Sequence, residues 1–302
     1  MSAGFPLDSL EIFGAGVLEA EGVVVDRAGF VWGAGRNGVV YRVSPDGVAS
    51  PLARLPAGSI PNGVTMDREG NLVYCDFGKR AVMRLGVDGR VSMIADRAGN
   101  VPLSLPNFAC YDAEGNLYVS NSTALDVTTY RTRLANPEPD GAVVRIRRNG
   151  KDDVVATGLY FANGLAIDPS EEHLYVLQST RNDCLRIRLR KDGSFGPPEI
   201  YSSGFPALPD GMAFDVDGNL YVTLPGVIKG GTTVLANQII KVDPGGRWTM
   251  LLDDPDGKAL AFPTNCAFGG PGLHDLYIAN LRGDHMARLP TPFTGHPLYH
   301  QR

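Results

Sequence analysis

The chain is short of the residues that staple small folds or build metal clusters. Four cysteines in 302 residues (Cys75, Cys110, Cys184 and Cys266) stand singly, with no C-x-x-C pair. That excludes a zinc ribbon or a dithiol redox motif and leaves small buried hydrophobes in a reducing, cytoplasmic setting as the expectation. Five histidines are spread over turns, outer strands and the tail, so imidazole is not expected to carry the chemistry. Basic residues are not in excess: the net charge of -5 argues against a nucleic-acid partner. No run of about 18 apolar residues occurs, which excludes a membrane-spanning helix and makes a membrane partner unexpected. The opening MSAGFPLDSL lacks the basic-then-apolar pattern of a signal peptide.

What the chain does have is a large apolar share, 43% of residues, and a sixfold internal repeat. The copies read EGVVVDRAGFVW from Glu21, NGVTMDREGNLVY from Asn62, NFACYDAEGNLYV from Asn107, NGLAIDPSEEHLYV from Asn163, DGMAFDVDGNLYV from Asp210 and NCAFGGPGLHDLYI from Asn265. Each opens on a polar anchor; the fifth residue on is Asp26, Asp67, Asp112, Asp168, Asp215 or, in the last copy, Gly270. The anchors are 41, 45, 56, 47 and 55 residues apart, the spacing of β-propeller blades. The expected fold is therefore all-β: one six-bladed β-propeller domain over residues 1–302, with four antiparallel strands per blade.

Each anchor sentence supplies two strands around an Asp-x-x-Gly or Gly-Asn turn, read as a plain hairpin turn rather than a calcium loop. GVVYRV, RAVMRL, GAVVRI, DCLRIRL and NQIIKV supply third strands, and looser segments such as SMIAD, DVVATG and TMLLDD the fourth. The sixth repeat has no fourth strand of its own, so Leu10 to Phe13 is expected to close the last blade and remove the open sheet edges. In this topology the anchors share a face with the loops joining strands two and three. The long segments 120–140 and 223–237 fall there too, where lids and binding loops are found.

Six equivalent positions must converge on the axis. Glu21, Asn107, Asn163 and Asp210 offer hard oxygen donors without His or thiolate, a set that suits Ca²⁺ or another divalent cation such as Zn²⁺, Mn²⁺ or Mg²⁺, with ligand positions left open for substrate. No Lys or Arg stands among the anchors, so two converging carboxylates imply a cation. Asp210 is the candidate nucleophile or general base. Asn62 and Asn265 fit a substrate contact or a simple strand cap equally well. Tyr130 and Arg131, with Arg133, offer a hold for an anionic group or are solvated loop residues. Phe108 and Phe161 belong to an apolar rim around the mouth, which favours a small, fairly apolar substrate.

In Glu21-Gly22, PN at 106–107, ANGLAID at 162–168, PDGMAFD at 209–215 and TNCAFGG at 264–270, the chain resembles the senescence marker protein / gluconolactonase / luciferin-regenerating enzyme family. The resemblance implies a six-bladed propeller with a divalent ion in its channel and, for many members, lactonase activity. Related phosphotriesterase-type propellers use a similar Glu, Asn, Asn, Asp set. Carried over by motif, Glu21, Asn163 and Asp210 are the implied ligands, Asn107 a ligand or substrate contact, and Asp210 the group that attacks or activates water. Sugar lactonases of this family carry an Asp after the blade-three Asn and an Arg shortly before it; here those places hold Phe108, Leu105 and Pro106. A more hydrophobic lactone or ester is therefore expected. The stretch LYFANGLAIDPSEEHLYVLQSTRNDCLRI also resembles strictosidine-synthase-like propellers, which keeps open a biosynthetic enzyme of the same fold (cyclisation, condensation or isomerisation). A non-catalytic ligand-binding propeller is the third reading.

Overall fold

A computed structural model describes residues 4–302; Met1 to Ala3, the first part of the opening stretch, lie outside the described residues. The six repeats form six four-stranded antiparallel sheets, five of them built from strands consecutive in sequence. The sixth takes Pro263–Gly269, Asp275–Asn280 and Met286–Pro290 and is completed by Glu11–Phe13 from the other end of the chain. The closing pairs run from Glu11↔Arg288 to Phe13↔Met286, as the sequence predicts. Closure leaves no blade without its outer strand, the usual way a propeller disposes of its edges. Among the described residues, no helix is long and apolar enough to cross a membrane.

The repeated aspartates do local work. Asp67 Oδ1 accepts from the backbone N–H of Glu69 and Asn71 while Oδ2 takes the Asn71 amide. Asp112 and Asp215 repeat the pattern with Asn116 and Asn219. These are hairpin caps, as the spacing predicts, and their oxygens are already used. The aromatic of the second strand (Tyr74, Tyr118, Tyr221, Tyr277) lies fully buried between neighbouring blades and supplies much of the interblade core.

At the axis the first strands leave their ladders. Register shifts fall at the anchor in blades one, two, three, four and six (between Ala20 and Gly22, for example, and between Ala162 and Leu165). A bulge there turns the anchor side chain out of the strand alternation and toward the channel. The residue after the anchor meets the next blade's backbone: a Cβ on Gly22 would stand 2.7 Å from the Asn62 carbonyl, and one on Gly164 would stand 2.6 Å from the Asp210 carbonyl. Hydroxyls bridge the same seams, Ser122 Oγ to Ala162 O, Ser179 Oγ to Pro209 O, Thr223 Oγ1 to Thr264 O and Thr264 Oγ1 to Glu21 O.

The two long segments behave differently. Residues 120–140 form a loop with a short helix, Arg131–Ala135. Residues 223–237, expected as a loop over the mouth, instead extend strands two and three of blade five into a long hairpin, Leu220–Lys229 paired with Thr232–Val242. After a register shift between Leu224 and Gly226, at Pro225, Val227↔Val234 and Ile228↔Thr233 continue the ladder because the β-branched residues resume and run up to the Gly230-Gly231 turn.

The far end of the channel is filled by the C-terminal segment. Tyr299 stacks on Tyr111 at 5.0 Å, and His300 Nε2 reaches the Val25 carbonyl at 2.8 Å. His300 Nδ1 is buried without a partner, and burial lowers the imidazole's affinity for a proton. A histidine depressed in the folded state stabilises docking above its unfolded value and loses that contribution as pH falls through it. Hydrogen-exchange protection over residues 296–302, corrected for the intrinsic pH dependence of exchange, is therefore expected to fall between about pH 7.5 and pH 5. A H300F variant should show a weaker pH response, leaving only the part due to His296, whose proton affinity burial also lowers.

Candidate active site at the channel hub

Glu21 is the best-connected of the anchors. It is buried, and its Oε1 accepts from Asn62 Nδ2 at 2.9 Å and from Arg36 Nη2 at 3.1 Å, while Oε2 is buried without a partner. Asp210 stands close enough to feel the charge of Glu21, with Asn163 beside it. It keeps some access to the channel, yet the surrounding blades strip most of its hydration. Burial, then the negative charge of Glu21, push the Asp210 carboxyl well above the usual carboxylate range; Arg36 and Asn163 pull it back only in part. Burial opposes the charge on Arg36, but Glu21 foremost, then Tyr130 and Asp210, hold its proton more firmly than usual.

The two amides are held by serines. Asn107 Nδ2 donates to Ser122 Oγ and Asn163 Nδ2 to Ser179 Oγ, both at 3.0 Å. With the nitrogen fixed, each amide oxygen remains the free end of the group. Asn62 and Asn265 use their own oxygens locally, accepting from the N–H of Gly63 and Cys266. The strand-cap role is thus visible for both, and Asn62 additionally orients Glu21.

The structure thus brings Glu21, Asn62, Asn163 and Asp210 together, and it corrects one expectation. The two carboxylates do not meet without a basic partner: Arg36, fifteen residues beyond Glu21, supplies one. A counter-charge requirement therefore no longer demands an ion by itself. What still fits a divalent cation is the donor set, two carboxylates against one guanidinium, an orphaned Glu21 oxygen and amide oxygens of the calcium-binding type. Among the described residues no group of three or more His, Cys, Asp or Glu could hold a metal, so any site here depends on those amides.

Phe77, Leu105, Tyr130 and Phe161 form a buried apolar cluster beside Arg36, whose guanidinium lies 5.9 Å from the Phe77 ring, with ring centroids 6.0 Å apart for Phe77–Tyr130 and 6.2 Å for Tyr130–Phe161. Phe161 is held at φ 55°, a left-handed conformation costly for an aromatic residue, while its carbonyl takes the Ser179 N–H. Arg131 is exposed at the start of the short helix, and Arg133 is tied to Glu138 and Asp140. Phe108 lies below the anchors, packed over Gly63 and lining a partly enclosed, mainly apolar cavity against the C-terminal segment. That cavity contains no anchor, which separates it from the anchor chemistry.

Sequence reasoning missed Arg36, Ser122 and Ser179. The signal was a second spacing: each lies 15 or 16 residues after its anchor, just past the second strand.

Residues 20–282 match the model of the SMP-30/Gluconolactonase/LRE-like region, and the chain belongs to that family. Among curated relatives it is 29% identical to a gluconolactonase of Zymomonas mobilis over 80% of this chain and 67% of the relative. It is 23% identical to the strictosidine synthase-like protein 6 of Arabidopsis thaliana over 72% of this chain and 60% of that protein. Among solved structures it matches a gluconolactonase of Xanthomonas campestris with a TM-score of 0.75 at 22% identity, covering 94% of this chain and 89% of the other. A calcium-binding regucalcin of Agrobacterium tumefaciens matches with a TM-score of 0.70 at 17% identity, covering 98% and 97%.

Replacing Ser179 with Ala tests the amide clamp, because its hydroxyl serves both Asn163 and the Pro209 carbonyl. Stranding two buried groups is expected to destabilise the fold by about 1–3 kcal/mol, measured by urea unfolding.

Proposed function

We propose that this protein is a divalent-metal-dependent hydrolase of a lactone or related ester, with a substrate more apolar than a sugar lactone. The observation that carries the reading is the pairing of Glu21 with Asp210 at the hub, the Glu21 Oε2 left free and Asn163 alongside. Family membership and the gluconolactonase relative support lactone chemistry; the regucalcin match supports calcium as the first ion to test. Glu21, Asn163 and Asp210 would hold the ion, with Asn107 as a fourth ligand or a substrate contact. The bound cation supplies polarisation of the ester carbonyl.

The residues of the chain divide the remaining work. Asp210 acts on the carbonyl carbon, as base toward water or as nucleophile; its raised proton affinity makes the ionised form the stronger base. Hydrolysis adds one water across the acyl C–O bond, breaks the ring and leaves a hydroxy acid. Asn107 and Asn163, clamped by Ser122 and Ser179, keep their oxygens aimed without loss of side-chain freedom at each turnover. The cluster of Phe77, Tyr130 and Phe161 beside Arg36 gives the apolar side that meets the hydrocarbon part of the substrate; Arg131, exposed, is an outer contact, and Asn265 is a buried anchor next to Gly211.

The test is a panel of γ- and δ-lactones, aryl esters and phosphotriesters, with product mass recorded. Product heavier by one water, lost on chelation and restored by Ca²⁺, is the expected result. D210N should reduce turnover by about 10²-fold or more while the circular dichroism spectrum is unchanged. Full activity in D210N would remove Asp210 from its role. Products of unchanged or lower mass would move the protein to the biosynthetic reading that the Arabidopsis relative favours, and binding without turnover would make it a ligand-binding propeller.

A further inference from the structure

One backbone position recurs around the hub. The residue just past the second strand donates its N–H to the carbonyl two residues before the anchor: Arg36 to Glu19, Phe77 to Ile60, Ser122 to Leu105 and Ser179 to Phe161. In blades three and four the side chain at this position is a serine that accepts the anchor's amide proton. In blade one it is an arginine that reaches the anchor's carboxylate instead. Arg36 is therefore placed by the architecture against Glu21, and its side chain is only 26% exposed.

We infer that Arg36 is a built-in counter-cation that shares Glu21 with the channel ion and sets how tightly that ion binds. This rests on the divalent-ion reading above. Arg36 and Asn62 both use Oε1, so Glu21 has one oxygen left to give, and whatever binds Oε2 meets a guanidinium on the same carboxylate. Like charges this close repel, and in a half-solvated site the repulsion on a divalent ion amounts to at least about tenfold in affinity. The same guanidinium has a use when no ion is bound. Two carboxylates facing one another in a desolvated hub would drive the blades apart, and Arg36 neutralises one of them. The protein can thus fold before it is loaded, at the cost of weaker loading.

Calorimetric titration of Ca²⁺ alone into the full-length parent and R36Q decides the point, with terbium luminescence as an independent readout. R36Q is expected to bind about tenfold or more tightly. Mere structural damage at this position would weaken binding. Equal or weaker binding by R36Q, with clear binding by the parent, would overturn the role of Arg36 and leave the hub ion standing. If neither protein binds Ca²⁺, Mn²⁺ or Zn²⁺, the divalent-ion reading falls and takes this inference with it. Should R36Q be unfolded in chelator, thermal melts across a Ca²⁺ series replace the titration. The Ca²⁺ concentration at which the midpoint begins to rise should then be about tenfold lower than for the parent, and an equal or higher onset overturns the inference.

Discussion

Close approach of the first strands at the axis is the constraint from which the site follows. Backbone meets backbone across the seams between blades, so the residue after an anchor has almost no room. Gly22 and Gly164 meet the next blade's anchor carbonyl directly. Blade three carries Phe108 at that place, and Gly63 in the preceding blade makes room for it: a Cβ there would fall 2.3 Å from the ring. The hydroxyl bridges through Ser122, Ser179, Thr223 and Thr264 then lock the seams whose carbonyls would otherwise be buried unpaired. Rigidity at the hub is thus a by-product of closing the ring. It is also what a set of oxygen donors needs if it is to hold one geometry.

Into that rigid ring the chain places two carboxylates and one guanidinium. Three charges of mixed sign in a poorly hydrated space cannot all be satisfied pairwise. Glu21 receives the guanidinium, and Asp210, left with Asn163 and the repulsion of Glu21, is driven toward its protonated form. The imbalance is local to blades one, four and five. It is the kind of frustration that structural ion pairs avoid and functional sites retain.

The fold was legible because its period is long, repeated six times and built from hairpin sentences whose parts reinforce each other. The capping aspartates and the Leu-Tyr-Val strands follow from residues adjacent in sequence, and the closing strand from Glu11 follows from the fourth strand that the sixth repeat lacks. The anchors were legible for the same reason. Arg36 was not, because its importance comes from the partner strand: it lies outside the repeated sentence and becomes a neighbour of Glu21 only through the ladder that pairs Ala20 with Gly35. Ser122 and Ser179 escaped notice likewise. The hairpin at 220–242 was misread since Gly and Thr at its tip look like loop, whereas the flanking β-branched residues continue the sheet. The counter-charge of Glu21 was hidden for a related reason. Listing charges at equivalent positions says nothing of a long side chain arriving from a position fifteen residues on.

Substrate choice under the proposed function turns on an asymmetry of the cup. Blades one, four and five present Glu21, Asn163, Asp210 and Arg36, whereas blade two places Phe77 beside them, its ring 5.9 Å from the Arg36 guanidinium, in a buried apolar cluster with Leu105 and Tyr130. Phe77 occupies in blade two the position that Arg36 holds in blade one and the serines hold in blades three and four. The same architectural slot is therefore charged, apolar or hydroxylic according to the blade. A polyhydroxylated lactone finds no hydrogen-bond partner at Phe77, where an arginine or serine in the same slot would supply one, at a desolvation cost of about 1–3 kcal/mol for each group stranded. An ester or lactone with a hydrocarbon side loses nothing there and gains by burying that side, so the slot at Phe77, more than the fold shared with the gluconolactonases, argues which lactones this hub should prefer.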